Sequence, residues 1–229
     1  MPTLLITGAN RGLGLEFVRQ YAAEGWDVVA GVRRPDQASE LQALAQGGRI
    51  EVHAVDVTDG RTVDSFKGAV GARPLDVVIA GAGVYGDHGG QDFGRLDYED
   101  WERTLRVNTL GPLRIAEAFA GNLEAGSERK LVAITSLMGS IADSSGGAII
   151  YRSSKAALNA AWKGVALALK PRGITAMVMH PGWVQTDMGG KNAPVTPEQS
   201  IRGMRQVIAG LTPDDAGSFR AFDGKSLPW

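Results

Sequence analysis

Cysteine is absent from the 229 residues, which excludes disulfides and thiolate chemistry and makes a reducing compartment the natural expectation. Histidine is scarce: His53, His88 and His180 fit no metal-ligand spacing, so no metal is expected. No window has the apolar length needed to span a bilayer. The opening Met1-Pro2-Thr3-Leu4-Leu5-Ile6-Thr7-Gly8 lacks a basic leader, and its apolar run is too short for a signal-peptide core. A large excess of either charge is missing too. The formal net charge is -1, which gives no attraction to nucleic acid or to an anionic membrane. A cytoplasmic protein with neither kind of partner is the expectation that follows. Internal repeats and interdomain linkers are also lacking, so residues 1–229 are expected to form one domain.

What is present is an ordinary globular balance, with 44% hydrophobic and 21% charged residues, long enough to bury a core without covalent staples. Apolar runs at Leu4–Thr7, Val28–Val32, Ile50–Val57, Leu75–Ala80, Lys130–Ser136 and Ile174–His180 predict strands, and Ser218–Phe222 a seventh. Helical spacing separates them over Leu13–Glu24, Pro35–Ala45, Thr62–Val70, Asp97–Ala120 and Ser153–Lys170. Several strands are apolar on successive residues, as a parallel sheet covered on both faces requires. The alternation predicts an α/β fold, a doubly wound (Rossmann) parallel sheet of about seven strands with helices on both faces. The stretches richest in Gly and Pro, 81–94, 139–147 and 182–197, follow strands four, five and six. Such sheets bind ligands at these carboxyl ends.

Thr7-Gly8-Ala9-Asn10-Arg11-Gly12-Leu13-Gly14 lies between the first strand and the first helix. Gly8 permits a tight exit from the strand. Gly12 lets the backbone approach a pyrophosphate, whose charge the helix N-terminus favours, and Gly14 allows close packing on the sheet. Asn10, Arg11 and Leu13 complete the candidate cofactor loop. After strand two, an NAD site needs a carboxylate for the ribose hydroxyls. This chain has Val32-Arg33-Arg34 instead, with Asp36 beyond the usual position. The basic pair suits the 2'-phosphate of NADP, and Arg11 is a possible third contact, so NADP(H) is expected over NAD(H).

Tyr151-Arg152-Ser153-Ser154-Lys155 places a phenol and an amine four apart, on one face at the start of a helix. A free phenol has a pKa near ~10. A nearby ammonium lowers it toward the range useful for proton exchange, and a drop of about three units takes roughly 4 kcal/mol, which the lysine together with a cationic nicotinamide ring is expected to supply.

The glycine spacing and the Tyr151/Lys155 pair, each placed after its strand, resemble the short-chain dehydrogenase/reductase family. The carbonyl-reductase and C-factor branch is the most similar, through Met138-Gly139-Ser140-Ile141-Ala142-Asp143, Trp183-Val184-Gln185-Thr186-Asp187-Met188 and the final Asp223–Trp229. The resemblance runs from Thr3 to about Phe222. It implies hydride transfer between NADP(H) and a carbonyl or alcohol, with Tyr151 as general acid and base. It further implies that Lys155 tunes Tyr151 and binds the nicotinamide ribose. Ser136 would hold the substrate oxygen, with Ser140 as reserve, and Asn108 would serve a water relay to the lysine. Asp56 and Val57 would meet the adenine, although an Asp capping the next helix fits equally. Pro181, Gly182, Val184 and Thr186 would hold the nicotinamide amide, and 187–197 would be a mobile substrate lid. His180 reads as a strand-end packing residue.

One departure stands out. The family usually reads Asn-Asn-Ala-Gly after strand four, where this chain has Ala80-Gly81-Ala82-Gly83. Small residues remain, so Ala80, Gly81 and Ala82 are still expected along the cofactor. A small-molecule substrate and self-association as a homodimer or homotetramer complete what the resemblance implies. The competing reading is a cofactor-binding signalling or regulatory protein of C-factor type, in which catalysis is secondary.

Overall fold

A computed structural model describes residues 1–87 and 89–229. His88, one of the three histidines weighed as metal ligands, lies outside the described residues. The strands are Thr3–Thr7 (β1), Asp27–Val32 (β2), Ile50–Ala54 (β3), Val77–Ala80 (β4), Lys130–Ile134 (β5), Thr175–His180 (β6) and Phe219–Ala221 (β7). The helices are Gly12–Ala23 (α1), Ser39–Ala45 (α2), Gly60–Val70 (α3), Tyr98–Leu105 (α4), Gly111–Ala125 (α5), Ile149–Leu169 (α6) and Pro197–Ala209 (α7). All seven strands join one parallel sheet in the order β3-β2-β1-β4-β5-β6-β7. This is the doubly wound arrangement expected from the apolar runs.

Register explains the two-sided core. Leu5 is level with Val29 and Val78, and Val78 with Leu131. Side chains alternate across a strand, so this row faces α3, α5 and α6, where it meets Phe66, Phe119 and Trp162. The next row, with Ile6, Ala30, Ile79 and Val132, faces α1, α2 and α7, where it meets Phe17, Leu41 and Met204. Runs without alternation are therefore the signature of a sheet buried on both sides.

Three elements differ from expectation. No helix is expected between β6 and β7, yet α7 fills that crossover with Ile201, Met204 and Ile208 buried. Its signal was in the sequence: Thr196 and Gln199 form a capping box around Pro197. The single helix expected over Asp97–Ala120 is divided by a π turn at Arg106–Leu110. Pro112 has no N–H to return to the Asn108 carbonyl four residues back, so the α ladder must skip there. The helix expected from Ser153 begins earlier, at Ile149, which puts Tyr151 inside its first turn.

Candidate active site

β1 delivers the chain to Gly8, whose φ of +76° is open to glycine at no steric penalty. A Cβ on Gly14 would lie 2.1 Å from the Gly8 carbonyl oxygen, so the loop closes on α1 only with glycine at 14. No side chain caps the N-terminus of α1, and its first turn holds no acid. Its unpaired N–H groups and positive helix end are left for an anion.

In front of them opens a cleft of about 670 Å³. From the expected cofactor set, Gly8, Asn10, Arg11, Gly12, Leu13 and Gly14 line it. So do Arg33, Arg34, Asp56 and Val57, together with Gly81, Ala82, Tyr151, Lys155, Pro181 and Thr186. Three expected residues do not. Ala80 is buried in β4. Gly182 turns toward Phe222, and Val184 is buried in a bridge to Val195. Val32 is buried, and no carboxylate stands at that position; Arg33 and Arg34 are exposed at the cleft. Arg34 donates to Gln37 Oε1 at 3.1 Å, and Arg33 has no ion pair among the described residues. Arg11 is paired with Asp187 across the cleft mouth at 2.8 Å. One Asp56 carboxylate oxygen accepts from the Thr58 N–H at 2.9 Å and from its hydroxyl at 2.7 Å, an Asx turn that still leaves the residue on the cleft wall. An uncapped helix end, glycine walls and unpaired guanidinium charge fit a dinucleotide phosphate.

The candidate reacting groups meet at the rear. Tyr151 and Lys155 lie one helical turn apart on α6, and both are buried. The Ser136 hydroxyl, which accepts from the Met138 N–H at 3.1 Å, stands near enough to the Tyr151 phenol to lower its pKa, whereas Ser140 donates to the Trp229 carbonyl at 3.1 Å. Ser136 is thus the serine at the phenol. Lys155 Nζ donates to the Ile134 carbonyl at 2.9 Å and lies 5.8 Å from the Tyr151 ring centre.

Burial pushes the Tyr151 phenol up to about 12, Ser136 pulls it down, and Tyr85 raises it further. Burial pushes Lys155 down to about 8. The lowered phenol expected from the sequence is therefore not a property of the chain alone. Each buried group resists its charged form. His180 is likewise pushed by burial down to about 4, neutral at pH 7, as suits a packing residue.

Asn108 does not point at solvent. Its Oδ1 accepts from the Val84 N–H at 2.8 Å, and its Nδ2 donates to the Val84 carbonyl at 2.8 Å and to Ser154 Oγ at 3.0 Å. Its amide therefore holds the loop after β4 against α6. Within that loop, a Cβ on Gly81 would come within 2.8 Å of the Thr7 carbonyl oxygen. The backbone path survives the departure at Ala80-Gly81 because the small residues let it lie against β1. Two residues sit here that the sequence does not single out, although they fall in the loop 84–96 expected to line the pocket. Tyr85 packs on Tyr151 with ring centres 4.8 Å apart and the rings tilted by 31°, and Gln91 is buried. Nothing local in the sequence marks either one, because both contacts join segments some sixty residues apart.

The short chain dehydrogenase family model matches residues 2–195. The chain belongs to this family. It is an oxidoreductase of carbonyl-reductase-like structure. It is 44% identical to the C-signal of Myxococcus xanthus over 166 residues, covering 72% of this chain and 99% of that one. It is 36% identical to 1-hydroxy-2-glutathionyl-2-methyl-3-butene dehydrogenase of Rhodococcus sp. along the full length of both. Among solved structures, an NADPH-bound carbonyl reductase from chicken fatty liver superposes with a TM-score of 0.92 at 31% identity, covering 100% of this chain and 99% of that one. The carbonyl reductase Sniffer of D. melanogaster superposes at 0.90 and 31%, with both chains fully covered. No described helix is long and apolar enough to cross a membrane. Among the described residues no group of three or more His, Cys, Asp or Glu is placed to hold a metal ion.

Proposed function

We propose that this oxidoreductase interconverts a carbonyl and an alcohol with NADP(H) in preference to NAD(H), using Tyr151 as general acid and base. The observation that carries the proposal is that Tyr151 and Lys155 line the back of the glycine-lined cleft together, with Ser136 beside the Tyr151 phenol. NADP(H), when bound, supplies or accepts the hydride. Arg33, with Arg34 beside it, holds the 2'-phosphate, and the uncapped end of α1 holds the pyrophosphate. Ser136 donates a hydrogen bond to the substrate oxygen. Tyr151 gives that oxygen its proton in reduction and takes it back in oxidation. Lys155, protonated below about 8, biases the phenol toward proton release. Asn108 keeps the loop after β4 in place. The segment 187–197 serves as the substrate lid, tied to the glycine loop through Arg11–Asp187. The substrate is a small molecule, the working unit is a homodimer or homotetramer, and the compartment is the cytoplasm.

The signalling alternative is less favoured. A relative aligned along the full length of both chains carries a dehydrogenase name, and the proton-transfer residues here are all present. The test is tryptophan-fluorescence titration with NADPH and NADH, followed by turnover on a panel of carbonyls. NADPH should bind more tightly. Tyr151→Phe should still bind it while turnover falls by about 10²–10⁴-fold. NADH preference would overturn the cofactor assignment, and undiminished turnover in Tyr151→Phe would overturn the mechanism.

A further inference from the structure

The loop after β4 is fastened by side chains that the proposed chemistry leaves unexplained. Asp100 Oδ2 accepts from the Asp87 N–H at 2.7 Å, beyond the Asn108 clasp on Val84. Between these two points stands Gln91, 4% exposed. Its Nε2 donates to the Tyr85 carbonyl at 3.0 Å, and its Oε1 accepts from the Tyr151 N–H at 3.0 Å. Its own carbonyl accepts from the Ile149 N–H at 2.9 Å. The first N–H groups of a helix need outside acceptors, and Ala148, at the cap of α6, has no side-chain oxygen to offer. Gln91 takes two of them from across the site. One amide therefore grips the backbone of both tyrosines of the pair.

We propose that Gln91 is a positioning residue for proton transfer, and that Tyr85, which it fixes, is the aromatic wall that selects the substituent beside the reacting carbonyl. The inference rests on the reading of Tyr151 as general acid. Glutamine suits the place because it offers a donor and an acceptor together. A leucine there leaves the Tyr151 N–H and the Tyr85 carbonyl unpaired. A glutamate keeps the acceptor for Tyr151 but sets a carboxylate against the Tyr85 carbonyl. The two variants therefore separate the cap from the wall.

The full chain is labelled with 3-fluorotyrosine. Tyr151→Phe assigns the Tyr151 fluorine signal, and Tyr85→Leu gives its position without the neighbouring ring. In Gln91→Leu the signal should move toward the Tyr85→Leu position. Its kcat should fall by about tenfold to a hundredfold as the phenol loses its alignment, with NADPH affinity within about twofold of wild type. Gln91→Glu should recover much of kcat but keep a raised KM, and it carries the same fluorine readout if the leucine variant does not fold. A Tyr151 signal at the wild-type position in either Gln91 variant overturns the proposal. So does a lowered Tm with kcat and KM unchanged. If the wild-type chain reduces no carbonyl, the proposed function falls, while the fluorine shift still decides whether Gln91 fixes the pair.

Discussion

Lys155 is buried with a backbone carbonyl as its acceptor, so no carboxylate offsets the loss of hydration. Its pKa falls from 10.5 in an unfolded chain to about 8. Between those values the unfolded state binds a proton that the folded state does not, so stability rises with pH across that window. Lys155→Met should remove the rise and add on the order of 1–2 kcal/mol at pH 7. Urea unfolding at pH 7 and pH 9 checks it, and equal slopes for both proteins would refute it. Tyr151 acts in the other direction. Its pKa is raised from 10.0 to about 12, so its contribution is full below 10 and is lost as pH climbs through that range. Arg33 is the second residue whose surroundings decide its use, since it stands at the cleft without an ion pair among the described residues. Arg33→Ala should weaken NADPH binding by roughly tenfold to a hundredfold and leave NADH unchanged. Equal losses for both nucleotides would make Arg33 a general anchor and not a phosphate reader.

α6 carries the proposed acid–base pair on its first two turns, and its entry is strained. Ala148 sits at φ 45°, ψ 45°, a left-handed conformation that a Cβ makes unfavourable. Glycine relieves that strain but loosens the unfolded chain, so Ala148→Gly should change stability by roughly 0 to +1 kcal/mol. Loss of more than about 1 kcal/mol in thermal unfolding would show that the alanine methyl itself is needed. The π turn before α5 has the same character, because Pro112 removes one rung and Asn108 gains a fixed position against Val84. Tyr151, Lys155 and the glycine loop were legible because their spacing is local. Gln91 was not, because capping a helix from sixty residues away leaves no periodic trace.

The sheet order β3-β2-β1-β4-β5-β6-β7 turns back between β1 and β4, and the cleft opens there. A Cβ on Gly8 would lie 2.8 Å from Ala82 Cα, so the loops leaving the two central strands touch through backbone. The residues lining the cleft come from both halves of the chain, from Gly8 to Thr186, and the cleft exists only when both are folded. Binding to the native state alone should therefore stabilise the whole molecule. NADPH at a hundred times its Kd should add about 2.7 kcal/mol. Thermal unfolding with and without NADPH measures the gain. A stabilisation that NADH matches at equal concentration would contradict the assigned preference.

The sequence by itself determined the strand–helix alternation, the parallel sheet buried on both faces, the glycine loop and the Tyr151/Lys155 pair. All of these follow from near neighbours in the chain and from two short periods of side-chain direction. Only the tertiary structure decided that Ser136 and not Ser140 stands at the phenol, that Asn108 clasps Val84, and that Tyr85 and Gln91 contact Tyr151. It also decided that burial raises the Tyr151 phenol in the chain alone. The physical reason is common to all four: burial and hydrogen bonding depend on which distant segments share a space, and spacing along the chain carries no record of that.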